Sequence, residues 1–577
     1  MSNPHLHVRK KIKRIMQCTM FILGIITARL MYLQINLTEY FSHKSKQNFE
    51  RIHKIQPMRG DILDCNGILL ATNRPVTNVY WQGTGGPLDP DQLKALQIVA
   101  TIIDKPWTTD EELISKIRHA ERYHQNIILA SDLAFKQMST LEELFPNHKN
   151  IILSTSFKRY YPYKSSASHM LGYLGDIHLH TRGKMGLEHI FEDYLRGEYG
   201  ITLRTINSLG KKLSEQELKQ TAAGHTVQTT LDIALQQISE DIFPQDFTGA
   251  MILMDPQDGS IRALVSRPSF DPSIFLGPIS GEQWHELQEK QPFLNRAFNA
   301  SYPPGSIFKL ISISAALEQG IIEQESTWEC KGFVRFGRRT YWCNRRYGHG
   351  ELTTAQAVAK SCNILFYEIG KRMNIDIIAH YARLFGLGEK TGILFHEKDG
   401  LVPTTSWKQN VKGEQWWPGE TLSIAIGQSY LLTTPIQIAR MITSIFTKEL
   451  IKPRILVNEP IERHPLEINQ ETLDFLQQSM KAVVTKGTGQ RVSTKDIEIY
   501  AKTSTAQVSS LSKRNIDKAH LEHGWFVGYF RYKENVPLTI VIFVEHAGSS
   551  RVPTIIAKNF LNAYKKLFDT SSLDTVR

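Results

Sequence analysis

One apolar run near the N-terminus constrains this chain more than any other feature. Five cations (Arg9, Lys10, Lys11, Lys13 and Arg14) come first, with no acid among the first fourteen residues. Residues 15–35 then run Ile15-Met-Gln-Cys-Thr-Met-Phe-Ile-Leu-Gly-Ile-Ile-Thr-Ala28, Arg29, and Leu30-Met-Tyr-Leu-Gln-Ile35. As a helix this stretch is roughly 31 Å long, enough to cross a bilayer. Arg29 lies near its far end, where a long side chain can snorkel to the interface. A cleaved signal peptide would need a small-x-small site after the run, and none follows. A buried core helix would not need five cations ahead of it. The reading is an uncleaved single-pass anchor over 15–35. The positive-inside rule keeps the tail 1–14 in the cytoplasm and sends the remaining chain, about 540 residues, to the other side.

The exported part has ordinary globular composition. The 577 residues are 41% hydrophobic and 22% charged, which excludes a disordered chain, a collagen and a polytopic membrane protein. Net charge is +11, but no basic stripe interleaved with aromatics stands out, so nucleic acid is not an expected partner. Five cysteines in this length do not make a disulfide framework. The first exported region, 38–230, mixes strands and helices. Gln56–Ala71 reads as strand, Asn-Gly turn, strand. Helical patterning follows at 91–118 and 131–144, and again from Gly186 to a glycine stop at Gly197. A second region, 231–569, opens with a capped helix near Asp232 and two strands around Asp258-Gly259. Strands return at 497–501, 524–530 and 538–545, with helical pattern between. Strands at both ends of a region fit one antiparallel sheet flanked by helices, so the whole chain reads as α+β: an anchor, a mixed α/β pedestal and a sheet-and-helix domain. Residues 570–577 read as a polar tail.

Three short motifs carry chemistry. In Tyr302-Pro-Pro-Gly-Ser-Ile-Phe-Lys309, Ser306 is placed to open an apolar helix, with Lys309 one turn later on the same face. The serine meets free N–H groups and the favourable end of the dipole. A lysine in an apolar wall loses preference for its charged form and can accept a proton. Two other Ser-x-x-Lys pairs, Ser208/Lys211 and Ser510/Lys513, lack this context. The second motif is Ser361-Cys-Asn363, a hydroxyl and a carboxamide two positions apart. The third is Lys502-Thr-Ser-Thr505 on an expected edge strand, a cation with hydroxyls beside open backbone groups, suited to a peptide carboxylate. Each alone is weak, as a helix cap or a solvated strand end would look the same.

In this order the three match the S-x-x-K, S-D-N and K-T-G set of serine acylating enzymes. The chain resembles the class B penicillin-binding proteins, most closely the elongation-type penicillin-binding protein 2 group. The resemblance extends over Arg29–Gln34, Arg59-Gly-Asp-Ile-Leu-Asp64, Phe270–Phe275, Asn295-Arg-Ala297, Gly348-His-Gly350, Ile426-Gly-Gln428 and Trp525–Tyr529. It implies a penicillin-binding transpeptidase fold in a bacterial inner membrane, with its catalytic domain outside the cytoplasm. It implies a serine-type D-Ala–D-Ala transpeptidase, of the same acyl-transfer class as the D,D-carboxypeptidases. The enzyme would cross-link peptidoglycan stem peptides during elongation and be a target of β-lactams. Ser306 would be the nucleophile and Lys309 its base, with Ser361 and Asn363 completing the catalytic set. Lys502 and Thr503, with Thr505 beside them, would bind substrate or β-lactam. The oxyanion would rest on the N–H of Ser306 and one near Thr505. Expected partners are a SEDS-family glycan polymerase and other elongation proteins. Three residues depart from the pattern. Ser504 and Ser429 stand where glycine is usual, and Asn363 where these proteins often have Asp. Ser504 leaves open whether its side chain crowds the substrate strand.

Cys330, Cys343, His349 and Cys362 supply four soft ligands, the number tetrahedral zinc needs, though their spacing is not that of a zinc finger. By resemblance, a zinc site here uses a His before Gly and a Cys inside the serine motif. His349 and Cys362 match; Cys330 and Cys343 stand where others use Asp. Such a zinc would be structural, pinning the loop that carries Ser361 and Asn363. A Cys330–Cys343 disulfide is the alternative. Two other functions stay open: a β-lactamase-fold enzyme or antibiotic sensor, and a non-catalytic scaffold whose Ser504 marks a decayed site. A β-lactamase would usually lack so large a region before its catalytic domain.

Overall fold

The structure, a computed structural model, describes residues 4–104, 110–123, 125–146, 148–177, 180–206, 212–277, 279–507 and 521–574. The two decoy pairs, Ser208/Lys211 and Ser510/Lys513, lie outside them. The chain divides into two compact units.

The first unit comprises Met1–Met58, Arg74–Lys158 and Gly197–Gly224. Helix Pro4–Met31 passes into a π-helical turn, Tyr32–Asn36, and the stretch Lys11–Asn36 is long and apolar enough to span a membrane, with none of its apolar window buried. Strands Glu50–Ile55, Gly200–Ile206 and Lys212–Lys219 form an antiparallel sheet in that order. The helical patterning of 91–118 resolves into two helices, Pro90–Ile103 and Glu111–Arg122, each started by an aspartate cap (Asp89 and Asp110). With helix Phe135–Leu144 they bury Leu96, Val99, Ile117 and Leu141 against Val79 and Trp81. Burying the Trp81 indole N–H demands an acceptor, and Glu121 Oε2 supplies it at 2.9 Å.

The second unit comprises Arg59–Asn73, Arg159–Arg196 and His225–Arg577, so the compact units cut across the boundary expected at 230/231. Hydrogen bonds explain why. Asp64 and Cys65 bond to Ile233 and Leu231, and Thr229 N donates to Leu63 O, weaving the Asn66-Gly67 turn region into the start of the next element. Arg59 and Arg159 both clasp the fully buried Glu188, at 2.6 and 2.7 Å. The pattern from Gly186 to Gly197 gives two short helices, Gly186–Ile190 and Glu192–Arg196, rather than one.

The centre of this unit is a five-stranded antiparallel sheet ordered Ile261–Arg267, Gly249–Met254, Leu538–Val544, His523–Tyr532, Ile497–Ala506. Side chains alternate across it, and both faces are buried. Ile252, Val541, Phe543, Trp525 and Val527 join one core, shared with helices Lys309–Glu318, Pro435–Thr447 and Gln470–Lys486. Met251, Leu253, Ile540, Ile542 and Phe526 join the other, which receives helices Ile233–Ile242 and Arg551–Asp574. Covering both faces is why these strands read as near-continuous apolar runs. The last helix continues past Thr570 to Asp574, where the sequence suggests a tail. The strand carrying Lys502 lies at the sheet edge, as expected.

Candidate functional site

Ser306 does not open the apolar helix directly. It sits in a 3-10 turn, Gly305–Ile307, and the α-helix begins at Lys309. Pro303 and Pro304 cannot donate to a helix ladder, and Gly305 takes a left-handed φ of +53°. Three anchors hold this turn on successive residues. Trp525 Nε1 donates to Pro303 O (3.1 Å), Ser504 Oγ to Pro304 O (2.8 Å), and Gly305 N to Gly427 O (2.9 Å). Among the described residues the half-buried Ser306 hydroxyl has no hydrogen-bond partner.

Lys309 is fully buried, with its ammonium group against the Phe366 ring. Its Nζ donates to Ser361 O (2.8 Å), Ser361 Oγ (3.2 Å) and Asn363 Oδ1 (2.7 Å). Burial lowers its pKa from 10.5 to about 8, partly opposed by the nearby Cys362 and Cys343 sulfurs. Lys502, also fully buried, donates to Ser361 Oγ (3.1 Å) and Thr503 O (3.1 Å). Its pKa falls well below the ordinary lysine value, first from burial and then from Lys309. One hydroxyl thus bridges two buried amines. Two ammonium charges on a single oxygen repel, so the trio favours a state with one amine neutral, able to take up a proton.

Ser361 holds this place at a left-handed φ of +53°. It lies between helix Thr354–Ala359 and helix Asn363–Arg372, whose first residue is Asn363. Asn363 Nδ2 donates to Trp342 O (3.0 Å), which aims Oδ1 at Lys309. On the edge strand, Thr503 Oγ1 shares a hydrogen bond with Thr488 Oγ1 (2.6 Å), and Thr505 Oγ1 accepts from Ser550 N (3.0 Å). The three motifs therefore meet at one place.

Ser504 faces the same way as Lys502 and is buried, its hydroxyl turned to the Ser306 turn instead of along the strand's open side. Space for it exists because position 305 is glycine: a Cβ there would lie 2.4 Å from Ser504 Oγ. Ser429 sits at φ +70°, a conformation glycine adopts without cost. The sequence did not reveal the roles of Pro304, Gly305, Trp525 and Gly427 as supports of the turn. Only the Pro-Pro-Gly run hinted at them.

The four metal-ligand candidates converge beside this site, with their donor atoms within 4.8 Å of one another. Both Cys330 Sγ and Cys343 Sγ lie 3.5 Å from His349 Nδ1, and Cys343 Sγ lies 3.8 Å from Cys362 Sγ. A tetrahedron with zinc bond lengths has edges of about 3.8 Å between sulfurs and about 3.6 Å between sulfur and nitrogen. The donor set fits zinc in chemistry and in spacing. All five cysteines are free thiols in the structure, Cys330 and Cys343 included. The contact between the sulfurs holds the Cys343 thiol low and pushes Cys362 up.

Comparison with known proteins places this geometry in a family. The family profile described as "Penicillin binding protein transpeptidase domain" matches residues 249–562, and "Penicillin-binding Protein dimerisation domain" matches 54–229. The chain is similar to the peptidoglycan D,D-transpeptidase MrdA of Acinetobacter baumannii, 28% identical over 568 residues, covering 91% of this chain and 83% of that one. It superposes on the penicillin-binding protein PBP2 of Helicobacter pylori in complex with MreC with a TM-score of 0.76, at 28% identity, over 89% of this chain and 99% of that one. A chain of a solved peptidoglycan synthase complex that coordinates polymerization and crosslinking gives a TM-score of 0.74 at 29% identity, over 96% and 98%. The chain belongs to the penicillin-binding protein transpeptidase family.

Proposed function

We propose that this protein is a serine-type peptidoglycan D,D-transpeptidase that cross-links stem peptides during cell-wall elongation and is acylated by β-lactams. The observation that carries the reading is the Ser361 hydroxyl shared by the buried amines of Lys309 and Lys502. Family membership and the MrdA relatives support the reaction class. Ser306 Oγ attacks the carbonyl carbon of the D-Ala–D-Ala bond while neutral Lys309 takes its proton. Backbone N–H groups of Ser306 and near Thr505 hold the oxyanion. As the C–N bond breaks, Ser361 passes a proton from the amine pair to the departing D-Ala nitrogen. Asn363 orients Lys309 and offers its amide to the substrate. Lys502, Thr503 and Thr505 bind the terminal carboxylate. An amine from a neighbouring stem peptide then takes the acyl group from Ser306. Water in its place would give carboxypeptidase action.

Cys330, Cys343, His349 and Cys362 would hold a zinc ion whose role is structural. It would tie the Ser361–Asn363 segment to Cys330, Cys343 and His349. The purified protein should contain about one zinc per chain. Metal-free protein that still folds, or one with a Cys330–Cys343 disulfide by mass spectrometry, would end this assignment.

The basic segment before the Lys11–Asn36 helix supports an inner-membrane anchor with a cytoplasmic N-terminus and a periplasmic catalytic domain. The relatives in complex with MreC and within a peptidoglycan synthase support a place in an elongation complex beside a SEDS-family polymerase. Fluorescent penicillin should label wild type covalently and leave Ser306→Ala unlabelled. Equal labelling of both would overturn the catalytic reading.

A further inference from the structure

The strand pair Phe333–Phe336 and Arg339–Trp342 runs out from the site on the same residue, Trp342, whose carbonyl positions Asn363. Its two faces differ sharply. Val334, Phe336 and Tyr341 turn inward and pack on the core. On the outer face Phe333 lies tilted beside Trp342 (centroids 5.5 Å apart), both more than 40% exposed. Arg346 lies over the Trp342 ring at 4.5 Å, and Tyr347 is 97% exposed. Between Lys331 and Gly350 the chain has six cations and no acid. Lys331 pairs with Glu329, but Arg335, Arg338, Arg339, Arg345 and Arg346 are exposed and have no carboxylate partner among the described residues.

Exposed aromatic rings next to unpaired guanidinium groups are poorly used by water alone. Rings accept the C–H faces of sugars, and guanidinium forks pair with carboxylates. We infer that this hairpin face is a binding site for the glycan-peptide strand itself, gripping free stem-peptide carboxylates and sugar faces of the polymer whose terminus lies in the site. This rests on the transpeptidase reading and deepens it. Charge complementarity admits a carboxylate-bearing strand, and continuity with Asn363 through Trp342 favours this occupant over a lipid surface.

The test uses the full-length protein in detergent, as wild type and as R335Q/R338Q, with purified peptidoglycan sacculi as the probe. Both residues are exposed and make no contact with Ser306, Lys309 or Ser361, so fluorescent-penicillin labelling should be unchanged and also reports folding. Co-sedimentation with sacculi at low salt should fall about tenfold in the variant, as expected when two exposed charge pairs are lost. Amidating the free carboxylates of the sacculi should weaken wild type to a similar extent. Equal sedimentation of the two proteins overturns the inference. So does wild type that ignores amidation or fails to sediment, or a loss seen only on phosphatidylglycerol vesicles. Wild type that sediments but takes no penicillin label would instead defeat the catalytic reading.

Discussion

The state of Lys309 sets a measurable pH dependence. Burial brings its amine from 10.5 to about 8. At pH 7 about one molecule in ten then has a free amine, against about one in three thousand for an exposed lysine. If this amine accepts the Ser306 proton, the second-order rate of acylation should climb about tenfold from pH 7 to 9 and level off above that. The assay is time-resolved labelling with a fluorescent penicillin that has no ionisable group in this range. The same shift has a consequence for stability. Below pH 8 both folded and unfolded chains hold the proton, and burying the charge costs about 3 kcal/mol. Between 8 and 10.5 the unfolded chain binds a proton that the folded one does not, so the cost fades as pH rises. Relative to Lys309→Met, wild type should therefore gain stability across that window, by up to about 3 kcal/mol in denaturant titrations. Acylation that is flat from pH 7 to 9, or has a midpoint near 10.5, would refute the argument, as would full acylation by Lys309→Met.

Ser361→Ala removes the hydroxyl shared by both amines and should slow acylation by roughly a hundredfold with little change in β-lactam affinity, read by separating the two constants in labelling kinetics. Ser504→Ala leaves the buried Pro304 carbonyl without its donor and should cost about 1–3 kcal/mol by thermal or denaturant unfolding. Because the hydroxyl faces the Ser306 turn, β-lactam affinity should stay within about twofold; a large gain in affinity would mean that Ser504 crowds the groove after all. Glu188→Ala leaves Arg159 with a buried uncompensated charge, and Arg59 with Glu192 as its one carboxylate, and should destabilise the second unit by about 3–5 kcal/mol, whereas a loss below 1 kcal/mol would show the network to be dispensable.

Much of this protein is written locally. The anchor follows from one apolar run behind a cationic start, because a bilayer reads only length and polarity. The central strands follow from short apolar stretches at both ends of the region, and the caps at Asp89, Asp110 and Asp232 from residue types that satisfy free N–H groups. Ser306 and Lys309 are three positions apart, so one turn of chain carries both, 3-10 at Ser306 and α-helical from Lys309. Other features have no local signature. Lys309 and Ser361 are separated by 52 positions and Ser361 and Lys502 by 141, yet they share one hydroxyl, since sheet register and helix packing bring distant segments together. Four ligands at irregular spacing close to metal-bonding distances for the same reason. Whether Ser504 points into the groove or behind it depends on the strand's parity against its neighbour, and on the glycine at 305 that leaves room for it. Composition and period specify which elements form; only the folded contacts between them decide which polar groups meet and what charge each can hold.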